Sequence, residues 1–102
     1  MNFINGINSD NTGLCKSCII YAGIYNIPET SDCLVDVLKN KNDEDLRMLA
    51  AVSIYLIGME KGLSEIYSVS LNGDNEKVKK FCSLLLKNED VKRLNAVRVY
   101  YE

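Results

Sequence analysis

The sequence predicts an all-α protein of five or six short helices in a single domain over residues 1–102. Only one proline and six glycines occur in 102 residues, so the chain contains few residues that break helices. Apolar residues recur at intervals of three and four, the spacing of one helical face. The chain is 47% hydrophobic and 25% charged, which is typical of a folded globular protein, and its length suffices for one domain.

The N-terminal part is predicted to contain an arm and a first helix. Residues 1–11 are polar and rich in asparagine, apart from Phe3, Ile4 and Ile7, and we expect them to form an irregular N-terminal arm that packs locally. The first helix should run from Asn11 or Thr12 to Tyr25. Its inward face is predicted from the spacing i, i+4, i+8, i+11: Leu14, Cys18, Ala22 and Tyr25.

The second and third helices are predicted to form a hairpin. Pro28 suits the start of a helix over residues 29–40. Asp43 is expected to cap a third helix over residues 44–60. That helix is apolar on nearly all sides in its middle, so it should be the most buried element, and Gly62 is expected to stop it. The predicted inward residues are Cys33, Leu34, Val37 and Leu38, then Leu46, Leu49, Ala50, Val52, Ser53, Leu56 and Ile57.

The C-terminal part is predicted to end in two further helices. Residues 63–71 fit either a short helix or an extended segment. Asn72-Gly73-Asp74 predicts a turn, followed by a helix over residues 74–87. Residue 89 or 90 should open a last helix, although residues 97–101 are β-branched and aromatic and also fit a strand. The predicted inward residues are Val78, Phe81, Cys82, Leu85 and Leu86, then Val91, Leu94, Val97 and Tyr101.

An internal similarity relates residues 38–56 to residues 86–102. LKNKNDEDLRMLAAVSIYL and LKNEDVKRLNAVRVYYE share Leu-Lys-Asn, an acidic pair, a basic residue and Leu-x-Ala-Val-x-(Ile/Val)-Tyr. Each copy is interpreted as helix, acidic turn and helix, over about 29–57 and 75–101. This arrangement resembles HEAT or armadillo helical pairs. The alternative is that any two amphipathic helical hairpins share such packing residues.

Charge is distributed unevenly along the chain. The formal net charge is −2, but residues 1–76 carry 11 acidic and 5 basic side chains, whereas residues 77–102 carry 3 acidic and 7 basic ones. An acidic surface attracts a basic protein and speeds its capture. A solvated face with carboxylates at helix starts is the structural alternative. The candidate partner-binding residues are Glu29, Asp32, Asp36, Asp43, Glu44 and Asp45.

The sequence offers little for catalysis or cofactor binding. It contains no histidine and no glycine-rich phosphate loop, so we expect no enzyme activity and no cofactor. Cys15 and Cys18 form a CxxC pair that could bind zinc with Cys33 and Cys82, or run redox chemistry. The pair lies inside a helical pattern, however, and Cys33 and Cys82 lie on apolar stripes. We therefore expect all four to pack as small apolar residues, with no metal site.

The cellular location is also predicted from what the sequence lacks. The first residues show neither the basic start nor the apolar stretch of a secretory signal. No apolar run is long enough to span a bilayer. We therefore expect a cytoplasmic protein that does not engage a membrane and whose cysteines are thiols.

The basic C-terminal region supports two alternative interpretations. A small helical DNA-binding regulator could contact phosphates through it, although two acids lie in the predicted turn at 87–90. Alternatively, the basic end of one copy could meet the acidic end of another in a homo-oligomer. The basic residues are Lys77, Lys79, Lys80, Lys87, Lys92, Arg93 and Arg98.

The sequence favours a non-catalytic protein-binding module. In size, acidity and helical repeat it resembles the small α-helical, HEAT-like immunity proteins of bacterial contact-dependent inhibition systems. The resemblance implies a protein that neutralises a cognate toxin, often a basic nuclease, by covering its active site. It carries no diagnostic motif, so no residue role is transferred. A phage-encoded inhibitor of a host defence protein would rely on the same physics.

Overall fold

Six α-helices and one 3₁₀ turn form the chain in a computed structural model, which describes residues 2–101 and the side chains of residues 2–88. No strand occurs within residues 2–101, so the all-α prediction is confirmed. The elements are α1 (Phe3–Ile7), α2 (Thr12–Ile24), the 3₁₀ turn (Pro28–Thr30), α3 (Ser31–Asn40), α4 (Glu44–Ile57), α5 (Glu60–Asn72) and α6 (Glu76–Tyr101).

Helix α4 is the central element, as predicted, because it packs against α2, α3, α5 and α6. Its inward face is only partly as predicted. Leu46, Ala50 and Ser53 are buried, but Leu56 is exposed and Ile54 is buried in its place. The helix is apolar on most sides, so its own periodicity does not select the face that the neighbouring helices cover.

Helix α2 begins as predicted, because the Asn11 side chain accepts a hydrogen bond from the Leu14 amide at 3.0 Å. The buried stripe is Cys15, Cys18, Ile19 and Ala22. Leu14 and Tyr25, which were predicted to face inward, are exposed. The spacing i, i+3, i+4, i+7 therefore describes the covered face, and the predicted face was rotated towards solvent.

Residues 3–7 form α1, so the prediction of an irregular arm is wrong for this stretch. Asn2 caps the helix by accepting a hydrogen bond from the Asn5 amide at 3.2 Å. Ile7 is fully buried in the core, and Phe3 packs against that core. Burial of these two apolar side chains explains why an asparagine-rich segment is ordered against α2.

The α3–α4 hairpin forms as predicted. Leu34, Val37 and Leu38 are buried and Cys33 is half-buried. Asp43 caps α4 by accepting a hydrogen bond from the Leu46 amide at 3.1 Å. Helix α4 stops at Gly58, not at Gly62, since Gly58 has the left-handed φ of +75° that favours glycine.

Helix α5 starts at Glu60 and includes Gly62, which is buried where a Cβ atom would lie 2.7 Å from Ile54 Cγ2. The helical alternative for residues 63–71 is thus confirmed. A turn follows it at residues 73–75. Asn75 then caps α6 by accepting a hydrogen bond from the Val78 amide at 3.0 Å. The predicted helix therefore begins at Glu76 and not at Asp74.

Helix α6 continues without a break to Tyr101, so the predicted turn at residues 87–90 is wrong, and residues 97–101 form the helical alternative and not the strand. No glycine or proline lies near that point to end the helix. The second copy of the similarity is therefore one helix and not a hairpin. Val78 and Cys82 are buried and Phe81, Leu85 and Leu86 pack on the core, as predicted. The inward predictions for Val91, Leu94, Val97 and Tyr101 lie outside the described side chains.

Candidate functional site

Three of the six predicted partner-binding residues form a row on the surface of the 3₁₀ turn and α3. We call Glu29, Asp32 and Asp36 the acidic row. All three are exposed. The Asp32 carboxylate lies 3.4 Å from Lys61 Nζ, with 87% and 75% of the two side chains exposed. An ion pair so open to water is weak. The Asp36 carboxylate accepts a hydrogen bond from the side-chain Nδ2 of Asn40 at 2.8 Å. The row thus keeps its negative charge accessible.

Asp43 and Glu44 have structural contacts in addition to their charge. Asp43 caps α4, as described above. Glu44 is half-buried and accepts a hydrogen bond from the Asn75 side chain at 2.8 Å. This contact links the start of α4 to the connection between α5 and α6. Substitution of either residue would disturb the fold as well as any surface.

Asp45 lies at the edge of a shallow groove of about 290 Å³. The groove is lined by Lys16, Asp45, Met48, Leu49, Val52 and Phe81. Its walls come from α2, α4 and α6. The structure therefore divides the six predicted carboxylates into a row on α3, two structural residues and one residue at this groove.

Arg47 is a buried charge that the sequence analysis missed. Only 7% of its side chain is exposed. Its Nε donates to the Leu38 carbonyl at 2.7 Å, and its Nη2 lies 3.4 Å from the Lys39 carbonyl. Nη2 also donates to Asp74 Oδ1 at 2.7 Å. A cation at the last carbonyls of a helix complements the helix dipole, so Arg47 ends α3 and ties it to the α5–α6 connection.

The Arg47–Asp74 pair shows how this cluster is neutralised. The hydrogen bond from Arg47 holds the pKa of the Asp74 carboxyl below its ordinary value of 3.8. The position of Arg47 gave no clear signal in the sequence. It shares a face with Ala50, Ala51 and Ile54, but the periodicity of α4 does not show that this face is the buried one.

The cysteines are packed in or against the core. Cys15 and Cys18 are buried, and the Cys15 thiol donates to the Ile7 carbonyl at 3.1 Å. The half-buried Cys33 thiol donates to the Thr30 carbonyl at 3.1 Å. Burial raises the pKa of Cys82 to about 11. Among the residues whose side chains are described, no group of three or more His, Cys, Asp or Glu is placed to hold a metal ion.

The basic residues lie on one continuous helix. Lys77, Lys80 and Lys87 are exposed on α6, while Lys79 lies 3.6 Å from Glu76. The side chains of Lys92, Arg93 and Arg98 lie outside the described residues. Since α6 does not turn at residues 87–90, the helix-turn-helix geometry considered for DNA binding is not formed there.

Two further findings concern membrane-spanning helices and similar proteins. Within the described part of the chain, no helix combines the length and apolarity needed to cross a bilayer. Comparisons with protein-family models, with curated proteins and with solved structures find no match to the chain.

Proposed function

We propose that the chain is a non-catalytic protein-binding module that captures a basic protein partner through the acidic row. One observation carries this proposal: three exposed carboxylates are spaced along the 3₁₀ turn and α3, and Lys61 offsets one of them only through an exposed contact. The buried face of α3 is anchored by Leu34, Val37 and Leu38. The row is therefore held on a well-packed element.

The expected mode of action is electrostatic capture followed by steric covering. Aligned charges of one sign accelerate encounter with an oppositely charged partner, and the effect weakens as salt rises. A basic protein that binds nucleic acid offers the complementary surface. Covering that surface blocks its substrate without any reaction, so the module needs neither catalytic residues nor a cofactor.

The specific form of the proposal is an immunity protein that neutralises a cognate toxin, with a basic nuclease as the toxin. The support is the acidic row together with the size and acidity of the chain. The continuous α6 removes the second helical hairpin from that support. The proposal places the protein in the cytoplasm, where its four cysteines stay reduced. A phage-encoded inhibitor would use the same row against a host defence protein.

Co-expression with the product of the adjacent gene tests this form. We expect a complex whose affinity falls as salt rises. Asp32→Lys combined with Asp36→Lys should weaken it by at least about tenfold, mainly through the association rate. Asp10→Lys combined with Glu76→Lys is the matched control, because it reverses two exposed carboxylates outside the acidic row and changes the net charge by the same amount. Asp43 and Glu44 are left intact, since they support the fold.

Two results would contradict the proposal. Unchanged binding of the double variant at low salt would remove the acidic row from the interface. A salt-dependent shift of duplex DNA by the purified protein would instead assign the function to the basic helix α6.

A further inference from the structure

An apolar groove opens on the side of α2 that faces away from α4. Its volume is about 240 Å³, and it is lined by Phe3, Leu14, Ser17, Cys18, Tyr21 and Tyr25. Tyr21 and Tyr25 are 46% and 65% exposed, and Leu14 is also exposed. We call this feature the tyrosine groove. Three of its lining residues, Leu14, Cys18 and Tyr25, were predicted to face the core, and two of them, Leu14 and Tyr25, are exposed instead.

The composition of α2 makes this exposure informative. Its 13 residues include one charged side chain, Lys16, which lines a different groove. Helices that are apolar all round are normally buried on all sides. Here α1 and α4 pack against α2, and the surface that they leave uncovered carries Leu14, Tyr21 and Tyr25, which are exposed. Exposed aromatic side chains grouped around one depression make it a candidate interaction site.

Helix α1 connects the tyrosine groove with the elements that carry the acidic row. Helix α1 packs against α2, and it also contacts the 3₁₀ turn and α3. Phe3 of α1 lines the groove, while Glu29 lies on the 3₁₀ turn that α1 touches. The elements that carry the groove and the acidic row thus both pack against one short helix, which itself carries no charge.

The stacked tyrosines indicate what the groove accepts. The Tyr21 and Tyr25 ring centroids are 5.7 Å apart with an interplanar angle of 19°. Exposed tyrosine rings offer apolar area together with a polar hydroxyl, and tyrosine is enriched at protein interfaces for this reason. Apolar side chains fit the depression between Leu14 and Phe3. A segment with apolar residues on one side and cations on the other would satisfy both surfaces at once.

We propose that the tyrosine groove and the acidic row form one docking surface for an amphipathic basic helix of the partner protein. The inference rests on the proposed capture of a basic partner and adds the shape and chemistry of the captured element. Apolar side chains of that helix enter the groove, and its lysine or arginine side chains meet Glu29, Asp32 and Asp36. Charge provides attraction, and the groove provides selection for an amphipathic segment.

Two peptides of equal charge separate these contributions. The first is an amphipathic helix of leucine and lysine about four turns long, and the second replaces each leucine with serine. Binding is measured by calorimetry at low salt. The leucine peptide should bind at least about tenfold more tightly than the serine peptide, since aromatic contacts at interface centres reach this size.

Variants then assign the preference to the groove. Tyr21→Ser combined with Tyr25→Ser should reduce the affinity for the leucine peptide about tenfold and leave the serine peptide unchanged. Tyr67→Ser combined with Leu71→Ser is the matched control, because these two side chains are 58% and 56% exposed on α5 and are also four residues apart. It should change neither affinity. Circular dichroism establishes that each variant keeps its helices.

Each remaining outcome has a distinct meaning. If the tyrosine variant still binds the leucine peptide more tightly than the serine peptide, the groove is not part of the docking surface. In that case Asp32→Lys with Asp36→Lys can still weaken the binding of both peptides, which supports the proposed function. If charge reversal weakens neither peptide, the proposed function fails while a groove effect is still visible. If the leucine peptide does not bind, or light scattering shows a dimer that the tyrosine variant dissociates, the docking proposal is overturned.

Discussion

Replacing Arg47 with methionine tests how a buried charge supports this fold. Methionine keeps an unbranched apolar stem in the core but removes the guanidinium. The Leu38 carbonyl then loses its donor at 2.7 Å, and the Lys39 carbonyl loses a longer contact at 3.4 Å. Both carbonyls belong to the last turn of α3, where no later amide of the helix can bond them. The Asp74 carboxylate also loses its partner.

The size of the effect follows from how buried each partner is. A hydrogen bond from a charged donor to a buried carbonyl contributes about 1.5–3 kcal/mol. A cation at a helix C-terminus adds about 0.3–1 kcal/mol. Burying the guanidinium opposes these gains, so we expect Arg47→Met to lower the free energy of unfolding by about 2–3 kcal/mol. Asp74 is 76% exposed, and water can replace its partner.

Urea denaturation followed by circular dichroism measures the loss, with Asp74→Asn as the comparison. This second variant removes the ion pair but leaves the guanidinium on the α3 carbonyls, so it should be far less destabilising than Arg47→Met. The reasoning is refuted if Arg47→Met is as stable as the parent, because desolvation would then outweigh the bonds. It is also refuted if the two variants lose equal stability.

Three further predictions concern packing and thiol chemistry. Gly23→Ala should lower the free energy of unfolding, measured by urea denaturation, by about 1–3 kcal/mol, because a Cβ there would lie 2.8 Å from Ser53 Cα. Gly13→Ala should raise it by about 0.5 kcal/mol, because a Cβ there would lie 3.5 Å from its nearest neighbour. Burial favours the protonated Cys82 thiol in the folded state, and this contribution to stability is complete below pH 9.0 and lost as pH rises towards about 11. Cys82→Ala should therefore flatten the fall in the free energy of unfolding between these pH values. An unchanged slope of the free energy of unfolding against pH would contradict the burial of that thiol. Ellman's reagent should label the half-buried Cys33 first in the native protein and the other three cysteines only on unfolding; early labelling of Cys15 would contradict its placement in the core.

Local signals predicted the bounds of α2, α3 and α4 well. Asp43 was predicted to cap α4, and Asn11 was one of two predicted starts of α2. Both side chains accept a hydrogen bond from a first-turn amide of their helix. The stripe on α3 was correct because α3 is amphipathic, with one apolar and one charged face. Helices α2 and α4 are apolar on several faces, and there the sequence could not choose which face the neighbours cover. That choice depends on tertiary packing.

The errors in the second half have a similar origin. A charged stretch at residues 87–90 looked like a turn, yet it contains no glycine or proline and α6 passes through it. Gly62 looked like a helix stop, but a glycine can equally mark close packing, and Gly58 has the left-handed backbone instead.

The candidate site shows the same limit. Sequence spacing placed Glu29, Asp32 and Asp36 on one face of a helix, and the structure leaves all three exposed there. The sequence spacing could not show that Glu44 accepts a hydrogen bond from Asn75, since that contact joins residues 31 positions apart. Nor could it show the tyrosine groove, because apolar residues on α2 were expected to be covered.

Amide chemical-shift mapping tests the docking surface most directly. The isotopically labelled protein is titrated at low salt with the amphipathic leucine–lysine peptide. We predict that the shifts concentrate in α1, the groove side of α2, the 3₁₀ turn and α3, and that Asp32→Lys with Asp36→Lys suppresses them. Shifts confined to α5 and α6, or no shifts while the peptide is in excess, would contradict the acidic row as the surface that captures a basic partner.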